Sequence, residues 1–293
     1  MSYLPVFLGL ATALCWGSAD YLSRRQSLRV GYYKTVLYSQ VTTLVFLTAI
    51  TTGFSVQVSF PSTAVVFLAA VGLLNFFAFV YLYRAFARGV VSVVAPIAYT
   101  YPAVTAILSV ILLGVSPTPI QWLGISAVIV GVILLSSRLS ELRRAKGVGT
   151  RATAGICAAI AAAVLFGVVY VGVGYATPMV GFAVPPLVLR SSAALLGAAA
   201  APILKESIRP SREALSNTII IMGVLESIGF LAFNYGVFAV SDSLPIIASL
   251  SGMGGAVAAS YGLFFLKERL EANQIVGLLL SLGGVFTLLY FGG

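Results

Sequence analysis

The stretch QWLGISAVIVGV at residues 121–132 has a counterpart 153 positions later, QIVGLLLSLGGV at residues 274–285. The two stretches share Gln, Gly, Gly and Val at matched positions, and almost all of their other residues are apolar. A bilayer core about 30 Å thick is crossed by a helix of about 20 such residues. The pair therefore predicts two membrane-spanning helices at equivalent places in two related halves of the chain.

The composition predicts that the whole chain lies in a membrane. Apolar residues make up 60% of its 293 residues and charged residues only 9%, whereas about a quarter of the residues of a soluble domain are charged. So few polar side chains cannot cover the surface of a water-soluble globule. The composition thus excludes a soluble enzyme and a nucleic-acid-binding domain, and it predicts an all-α integral membrane protein.

Ten apolar runs have the length of a membrane span, and their number predicts the topology. Five spans in each half force the two halves to enter the membrane in opposite orientations. We therefore predict an N-terminal five-helix repeat at 1–137, a charged linker loop at 138–151 and a C-terminal five-helix repeat at 152–293. Such inverted repeats are characteristic of secondary transporters. The predicted spans are 4–22, 33–53, 62–84, 89–113, 119–137, 152–174, 183–203, 215–237, 243–266 and 273–291.

The basic residues predict how the chain is oriented. Sixteen of the 17 Lys and Arg residues lie in the connections after the first, third, fifth, seventh and ninth spans or, like Lys34 and Arg84, at the span ends that border them, and the other connections hold none. Cytoplasmic connections collect Lys and Arg. We therefore predict a multi-pass protein of the inner cell membrane with both termini outside. The net charge of +9 then reflects orientation rather than a nucleic-acid partner.

Three short motifs carry a resemblance to a known family: CWGSADY at 15–21, LRSSAAL at 189–195 and FFLKERLEANQIVGLLLSLGGV at 264–285. With them the whole chain resembles the EamA family of the drug/metabolite transporter superfamily. The resemblance implies a ten-helix exporter or exchanger of small metabolites, amino acids included. It also implies cytoplasmic termini, whereas the distribution of basic residues predicts termini outside the cell. Our prediction follows the basic residues. Tyr38 stands where an Arg would be expected opposite Arg190, so the resemblance implies an asymmetric binding surface.

Glu226 is the sharpest candidate for a functional residue, because it lies in the middle of the apolar run NTIIIMGVLESIGFLAFNYGVF at 217–238. An acidic side chain at the centre of a bilayer costs about 2.5–3.5 kcal/mol to insert, which marks it as a functional candidate. It can bind the amine of a solute, or exchange the protons that couple transport. The alternative is a paired or protonated carboxyl group that braces helices.

Two stripes of polar and aromatic residues recur at a spacing of four, which puts each stripe on one helix face. Facing stripes of this kind would line a cavity for an amphipathic solute between spans 1, 3 and 4 and spans 6, 8 and 9. The alternative is that the rings pack against lipid or helices and the asparagines tie helices together. The stripes consist of Asn75, Phe79 and Tyr83 in span 3, and of Glu226, Phe230 and Asn234 in span 8.

The fourth and ninth spans contain helix-breaking residues in corresponding places. Proline removes a helix hydrogen bond, and a pair of interrupted helices points to a binding site or a hinge. The alternative is that Gly and Pro are simply common in membrane helices. Tyr99, between the two prolines of span 4, is a candidate to contact the solute. The breakers are Pro96 and Pro102 in span 4, and Pro245, Gly252, Gly254 and Gly255 in span 9.

Three further residues inside the spans are candidates to contact the solute. Trp16 and Asp20 lie one turn apart in span 1, and Asp20 is expected to form an ordinary interfacial pair with Arg24. Arg190 is the single cation that lies away from the ends of a predicted span. It can bind a carboxylate of the solute, pair with Glu226, or extend to the outer surface.

Together these features predict a secondary transporter that exports small metabolites, such as amino acids, by alternating access. A proton-coupled multidrug antiporter for lipophilic cations is the alternative within transport, and a non-transporting scaffold or lipid-flippase component is the alternative outside it. The chain has no His and no phosphate-binding GxxxxGK[ST] loop, so we expect no catalytic, metal, cofactor or ATP site. The expected partners are a small-molecule solute, the lipid bilayer and, as a coupling ion, protons.

Overall fold

The protein is an all-helical membrane protein in its computed structural model, as the sequence predicts. Seven helices of its described part are long and apolar enough to cross a membrane, and two shorter apolar helices accompany them. Phe7, Leu195 and Phe286 are each more than half exposed, as is expected of side chains that face lipid tails instead of water. The described residues are 3–56, 58, 60–89, 91–137, 139, 150–240, 242–266 and 271–291.

Twelve helices occupy these described residues, and all other described residues lie in turns or irregular connections. The helices are α1 (Leu4–Val30), α2 (Tyr32–Gly53), α3 (Ser62–Arg88), α4 (Val91–Ala98), α5 (Tyr101–Leu113), α6 (Pro119–Ser136), α7 (Thr150–Val180), α8 (Val184–Ala200), α9 (Asn217–Ala239), α10 (Leu244–Ser251), α11 (Gly254–Leu266) and α12 (Ala272–Phe291).

Two helices are longer than the apolar runs predict. Helix α1 continues past residue 22 to Val30, because polar residues of its last turns are buried against the second half. Gln26, for example, donates a hydrogen bond to the backbone oxygen of Glu213 at 2.5 Å. Helix α7 extends past residue 174 to Val180. Of the predicted linker loop, residues 138 and 140–149 lie outside the described residues, and 150 and 151 belong to α7.

The fourth and ninth predicted spans are each interrupted near the middle. The first breaks at Tyr99–Thr100, between α4 and α5, and the second breaks at Gly252–Met253, between α10 and α11. Pro96 lies inside α4, while Pro102 and Pro245 lie in the first turns of α5 and α10. A first-turn proline is tolerated because that N–H has no partner within the helix. The chain therefore begins a new helix, α5, with Pro102 in its first turn, instead of continuing α4.

The repeated glutamines begin equivalent helices. Gln121 caps α6: its Oε1 accepts a hydrogen bond from the Thr118 N–H at 2.8 Å, and its own N–H donates to the Thr118 hydroxyl at 3.3 Å. This is a capping box, which satisfies N–H groups that the first helical turn leaves free. Gln274 does the same at α12, where its Oε1 accepts from the Glu271 N–H at 3.0 Å. The shared Gln thus has a local structural cause.

The repeated glycines let α6 and α12 pack in close contact. A Cβ atom added at Gly284 would lie 2.8 Å from the Gly124 carbonyl oxygen, and one added at Gly277 would lie 2.6 Å from the Gly131 carbonyl oxygen. Small residues allow membrane helices to approach at this distance. In the sequence repeat, Gly124 matches Gly277 and Gly131 matches Gly284. The contact between Gly124 and Gly284 therefore has an equivalent in the contact between Gly277 and Gly131.

The helix contacts between the two halves also come in equivalent pairs, in which each helix is replaced by the corresponding helix of the other half. Helix α1 packs on α9 as α7 packs on α3, and α2 packs on α9 as α8 packs on α3. Likewise α1 packs on α10 and α11, and α7 packs on α4 and α5. The largest part of the buried core therefore lies between the first five predicted spans and the last five.

Candidate functional site

A narrow cavity lies where helices of the two halves meet. Its walls come from α1, α3 and the break between α4 and α5 on one side, and from α7, α9 and α10 on the other. Two carboxyl groups face it amid aromatic rings. The lining residues are Trp16, Asp20, Phe79, Leu82, Ala98, Tyr99, Tyr101, Phe166, Tyr170, Glu226 and Ser251.

Asp20 faces this cavity instead of pairing with Arg24. Its Oδ2 accepts a hydrogen bond of 2.7 Å from the Tyr99 hydroxyl, and only 8% of the residue is exposed. Arg24 is exposed, and Asp20 forms no ion pair with any described residue. The expected interfacial pair was wrong because the break after α4 places Tyr99 beside Asp20, a contact that spacing along α1 cannot reveal.

Glu226 forms an ion pair with Arg190 in the interior of the protein. The distance between Glu226 Oε2 and Arg190 Nη2 is 2.5 Å, and the two side chains are 3% and 1% exposed. Arg190 Nη1 also donates a hydrogen bond to Gln40 Oε1. The pair joins α8 and α9, and the Gln40 contact adds α2. Arg190 therefore points inward to Glu226 and not to the outer surface.

Two aromatic rings lie close to the Arg190 guanidinium group. Its central carbon lies 4.2 Å from the centroid of Phe230 and 4.7 Å from that of Phe79. A cation over an aromatic face is attracted by the quadrupole of the ring, most strongly when water is absent. Stacked and paired in this way, Arg190 is fixed in position and its charge is balanced by Glu226.

Aromatic rings form most of the remaining cavity wall. Trp16 stacks on Tyr170 with centroids 5.4 Å apart, and Tyr170 lies 5.0 Å from Phe233. Tyr170 and Phe166 were not among the residues singled out in the sequence. The repeat could have identified them, since they stand 150 positions after Asp20 and Trp16. Equivalent positions of the two halves thus contribute to one wall.

The two predicted stripes lie only partly at the cavity. Phe79 and Glu226 line it, whereas Asn75, Tyr83, Phe230 and Asn234 are buried without lining it. A step of four residues rotates a helix position by about 40°, so the members of a stripe drift away from one common direction. Trp16 and Tyr99 are the other predicted contacts that line the cavity, and Arg190 lies behind Glu226.

The two stripe asparagines differ in their hydrogen bonds. Asn234 Nδ2 donates to the backbone oxygen of Phe230 at 2.8 Å, and its Oδ1 accepts from the Thr177 hydroxyl at 3.2 Å. Thr177 belongs to α7, so Asn234 ties α9 to that helix. Asn75 is fully buried, and its side-chain amide has no hydrogen-bond partner among the described residues.

The two helix breaks are in direct contact at the cavity. A Cβ atom at Gly252 would lie 2.6 Å from Pro102 Cγ, and one at Gly255 would lie 2.5 Å from Tyr99 Cδ2. Gly254 is similarly close to α1, where an added Cβ would lie 3.2 Å from the Gly17 nitrogen. These predicted breakers therefore form one joint, whereas Pro96 and Pro245 are not among the residues that line the cavity.

A second, wider cavity lies toward the C-terminal ends of α5, α7 and α9. Gly174, Val237 and Leu244 are among its lining residues. Tyr170 and Phe233, whose ring centroids are 5.0 Å apart, precede Gly174 and Val237 by one helical turn. This aromatic pair, of which Tyr170 lines the cavity that contains Asp20, therefore lies one helical turn from residues that line the second cavity.

Comparison with known proteins identifies a family and a fold. Residues 4–137 match the EamA-like transporter family, and the curated proteins include no match. Among 28 matching chains of solved structures, one crystal structure has a TM-score of 0.77 and 17% sequence identity, with 97% of each chain covered. At this identity the likeness shows a common fold alone.

Proposed function

We propose, from the premise that this chain belongs to the EamA family of the drug/metabolite transporter superfamily, that it is a secondary transporter of small amphipathic metabolites. The solute would bind in the central cavity, and alternating access would expose that cavity to one side of the membrane at a time. The observation that carries this proposal is a cavity between the two halves that combines buried carboxylates with aromatic walls.

The reciprocal helix contacts support an architecture of two inverted five-span repeats, 1–137 and 152–293. Contacts repeated with the halves exchanged are what a pseudo-two-fold axis produces. Polar side chains of the two halves meet directly in this region: Arg190 donates a hydrogen bond to Gln40, and the hydroxyl groups of Tyr101 and Ser251 are hydrogen-bonded. Transporters built in this way bind solutes near the midplane, at interrupted helices. The joined breaks at the cavity fit that pattern.

The lining of the cavity favours solutes that carry an amine and an apolar body. Asp20 and Glu226 supply carboxylate oxygens, while Trp16, Tyr101 and Tyr170 supply apolar and aromatic surface. Pockets for small molecules combine a mostly apolar wall with a few polar groups that fix orientation. Amino acids and related amphipathic solutes meet this description, and so do the lipophilic cations of a multidrug antiporter.

The distribution of basic residues supports an inner-membrane protein with both termini outside, and the family resemblance supports export. In such a cycle the joint of Gly252 with Pro102 and of Gly255 with Tyr99 would act as the hinge. The hinge is suited to this role because two interrupted helices can change angle at their breaks without unpacking the longer helices. Tyr170 and Phe233 would then form a barrier on the path to the second cavity.

Solute counterflow in proteoliposomes tests this function. Vesicles are loaded with unlabelled amino acids, nucleosides or cationic drugs, and uptake of the labelled compound is followed. Saturable uptake of an amphipathic amine, independent of any proton gradient or driven by it, supports the transporter. Extrusion of a range of cationic dyes under a proton gradient favours the multidrug antiporter. No saturable uptake of any compound favours a scaffold or lipid-flippase component and contradicts the proposal.

A further inference from the structure

The two carboxyl groups at the cavity differ in their partners. Glu226 forms an ion pair with Arg190, with 2.5 Å between Oε2 and Nη2. The guanidinium group of Arg190 also lies over the rings of Phe79 and Phe230. Asp20 has a neutral partner, the Tyr99 hydroxyl at 2.7 Å. A buried charge is costly unless it is paired. The cavity therefore carries one carboxylate whose charge the described side chains leave uncompensated.

No described cation faces Asp20 from the helices packed around it. The side chain is 8% exposed, and Arg24, one turn away on the same helix, is exposed at the surface. Arg190 lies behind Glu226 and is already paired. The titratable groups that share the cavity with Asp20 are Tyr99 and Tyr101 from the break and α5, Tyr170 from α7, and Glu226 from α9.

Both carboxyl groups also keep one oxygen atom without a hydrogen bond. Tyr99 bonds to Asp20 Oδ2 and Arg190 bonds to Glu226 Oε2, and no described residue donates to Asp20 Oδ1 or Glu226 Oε1. An ammonium group has three N–H donors and no acceptor. It could therefore bond to Asp20, take the free oxygen of Glu226 as a second acceptor, and lie against the faces of the neighbouring aromatic rings.

We propose that Asp20, oriented by Tyr99, binds the ammonium group of the solute, and that the cavity selects cationic amines over zwitterionic amino acids with the same side chain. This inference rests on the proposed transport function. A zwitterion would bring a carboxylate into a cavity near which Arg190, the one cation buried among the described residues, already lies against Phe230 and is paired with Glu226. A primary amine with an aromatic body has no such group and leaves the Arg190–Glu226 pair intact.

Counterflow with matched probes tests the selectivity. Phenethylamine, phenylalanine and 3-phenylpropionate share one aromatic body and differ only in their charged groups. Wild-type vesicles should exchange phenethylamine saturably. Phenylalanine should exchange at least about tenfold less well, because its carboxylate would be buried without a partner. 3-Phenylpropionate should not exchange at all, because it also lacks the ammonium group that Asp20 binds. Exchange of phenylalanine as fast as phenethylamine would overturn the selectivity.

Variants test the role of Asp20 itself. Asp20→Asn should lower phenethylamine exchange about tenfold or more, and Tyr99→Phe should lower it by less, because the carboxylate remains but loses its orienting hydrogen bond. Glu213→Gln, which removes an exposed carboxylate far along the chain, should leave exchange unchanged. Unfolding midpoints in detergent show that each variant is folded.

The outcomes separate this inference from the transport function. Wild-type exchange by a folded Asp20→Asn protein would overturn the assignment of Asp20 while leaving the transporter in place. Saturable exchange of amino acids, nucleosides or other neutral and zwitterionic solutes without amine selectivity would do the same. Failure of every solute to exchange would contradict the transport function as well.

Discussion

The hydroxyl groups of Tyr101 and Ser251 lie 2.9 Å apart, at the point where the interrupted helices of the two halves meet. Tyr101 is the first residue of α5, just after its break, and Ser251 is the last residue of α10, just before the other break. Both line the cavity that contains Asp20. The two breaks are thus one structural unit, and a change in conformation at one of them should change the packing at the other.

The joint between the breaks should be sensitive to a single methyl group. In Gly252→Ala the new Cβ would lie 2.6 Å from Pro102 Cγ, and overpacking of this kind costs about 1–3 kcal/mol. We expect solute exchange to slow while the protein remains folded. Gly53→Ala is the control, since nothing lies within 4 Å of its added Cβ. Equal exchange rates for the two variants in proteoliposomes would argue against a hinge at this joint.

Loss of one partner of the Arg190–Glu226 pair should destabilise the protein, whereas replacement of both partners by apolar residues should be tolerated. Arg190→Met leaves Glu226 buried without a partner, and breaking a buried pair costs about 3–5 kcal/mol. We expect the double variant Arg190→Met, Glu226→Leu to recover much of that loss, because two apolar side chains need no pairing. Thermal unfolding in detergent measures both effects, with exposed Arg24→Met as the control. A single variant as stable as wild type would show that the pair is dispensable.

Adjacent glycines of α12 offer a matched test of the packing against α6. An added Cβ at Gly284 would lie 2.8 Å from the Gly124 oxygen and from the Val128 nitrogen, whereas nothing lies within 4 Å at Gly283. Gly284→Ala should destabilise by about 1–3 kcal/mol through overpacking. Gly283→Ala should be neutral or stabilising by up to about 1 kcal/mol, because Ala is the better helix former. The reverse order of unfolding midpoints would refute this packing.

The predicted orientation can be tested by labelling single cysteines. Cys15 and Cys157 are replaced by Ala, and Cys is introduced in place of Tyr3 or of Arg29, which is exposed at the other end of α1. A membrane-impermeant maleimide added to intact cells should label Tyr3→Cys only. Labelling of Arg29→Cys instead would place the N-terminus in the cytoplasm and the basic residue Arg29 outside the cell, which would contradict the predicted orientation.

Local patterns were sufficient to predict an all-helical membrane protein, the two interruptions and the residues Trp16, Phe79, Tyr99 and Glu226 that line the cavity. These depend on apolar length, on proline chemistry and on the rarity of buried charge. The partner of Asp20 was not predictable, because Tyr99 is 79 positions away and reaches it only through the break. Partners that meet across long separations leave no mark in periodicity along one helix.

The central claim is that solute passes through the cavity between the two halves, and filling that cavity tests it most directly. Ala98 lines the cavity and is 2% exposed, whereas Leu123 on α6 is 62% exposed toward lipid. Counterflow of a transported amine is compared in proteoliposomes of wild type, Ala98→Phe and Leu123→Phe, all verified as folded. We predict saturable exchange by wild type and Leu123→Phe and almost none by Ala98→Phe. Undiminished exchange by Ala98→Phe would contradict the claim.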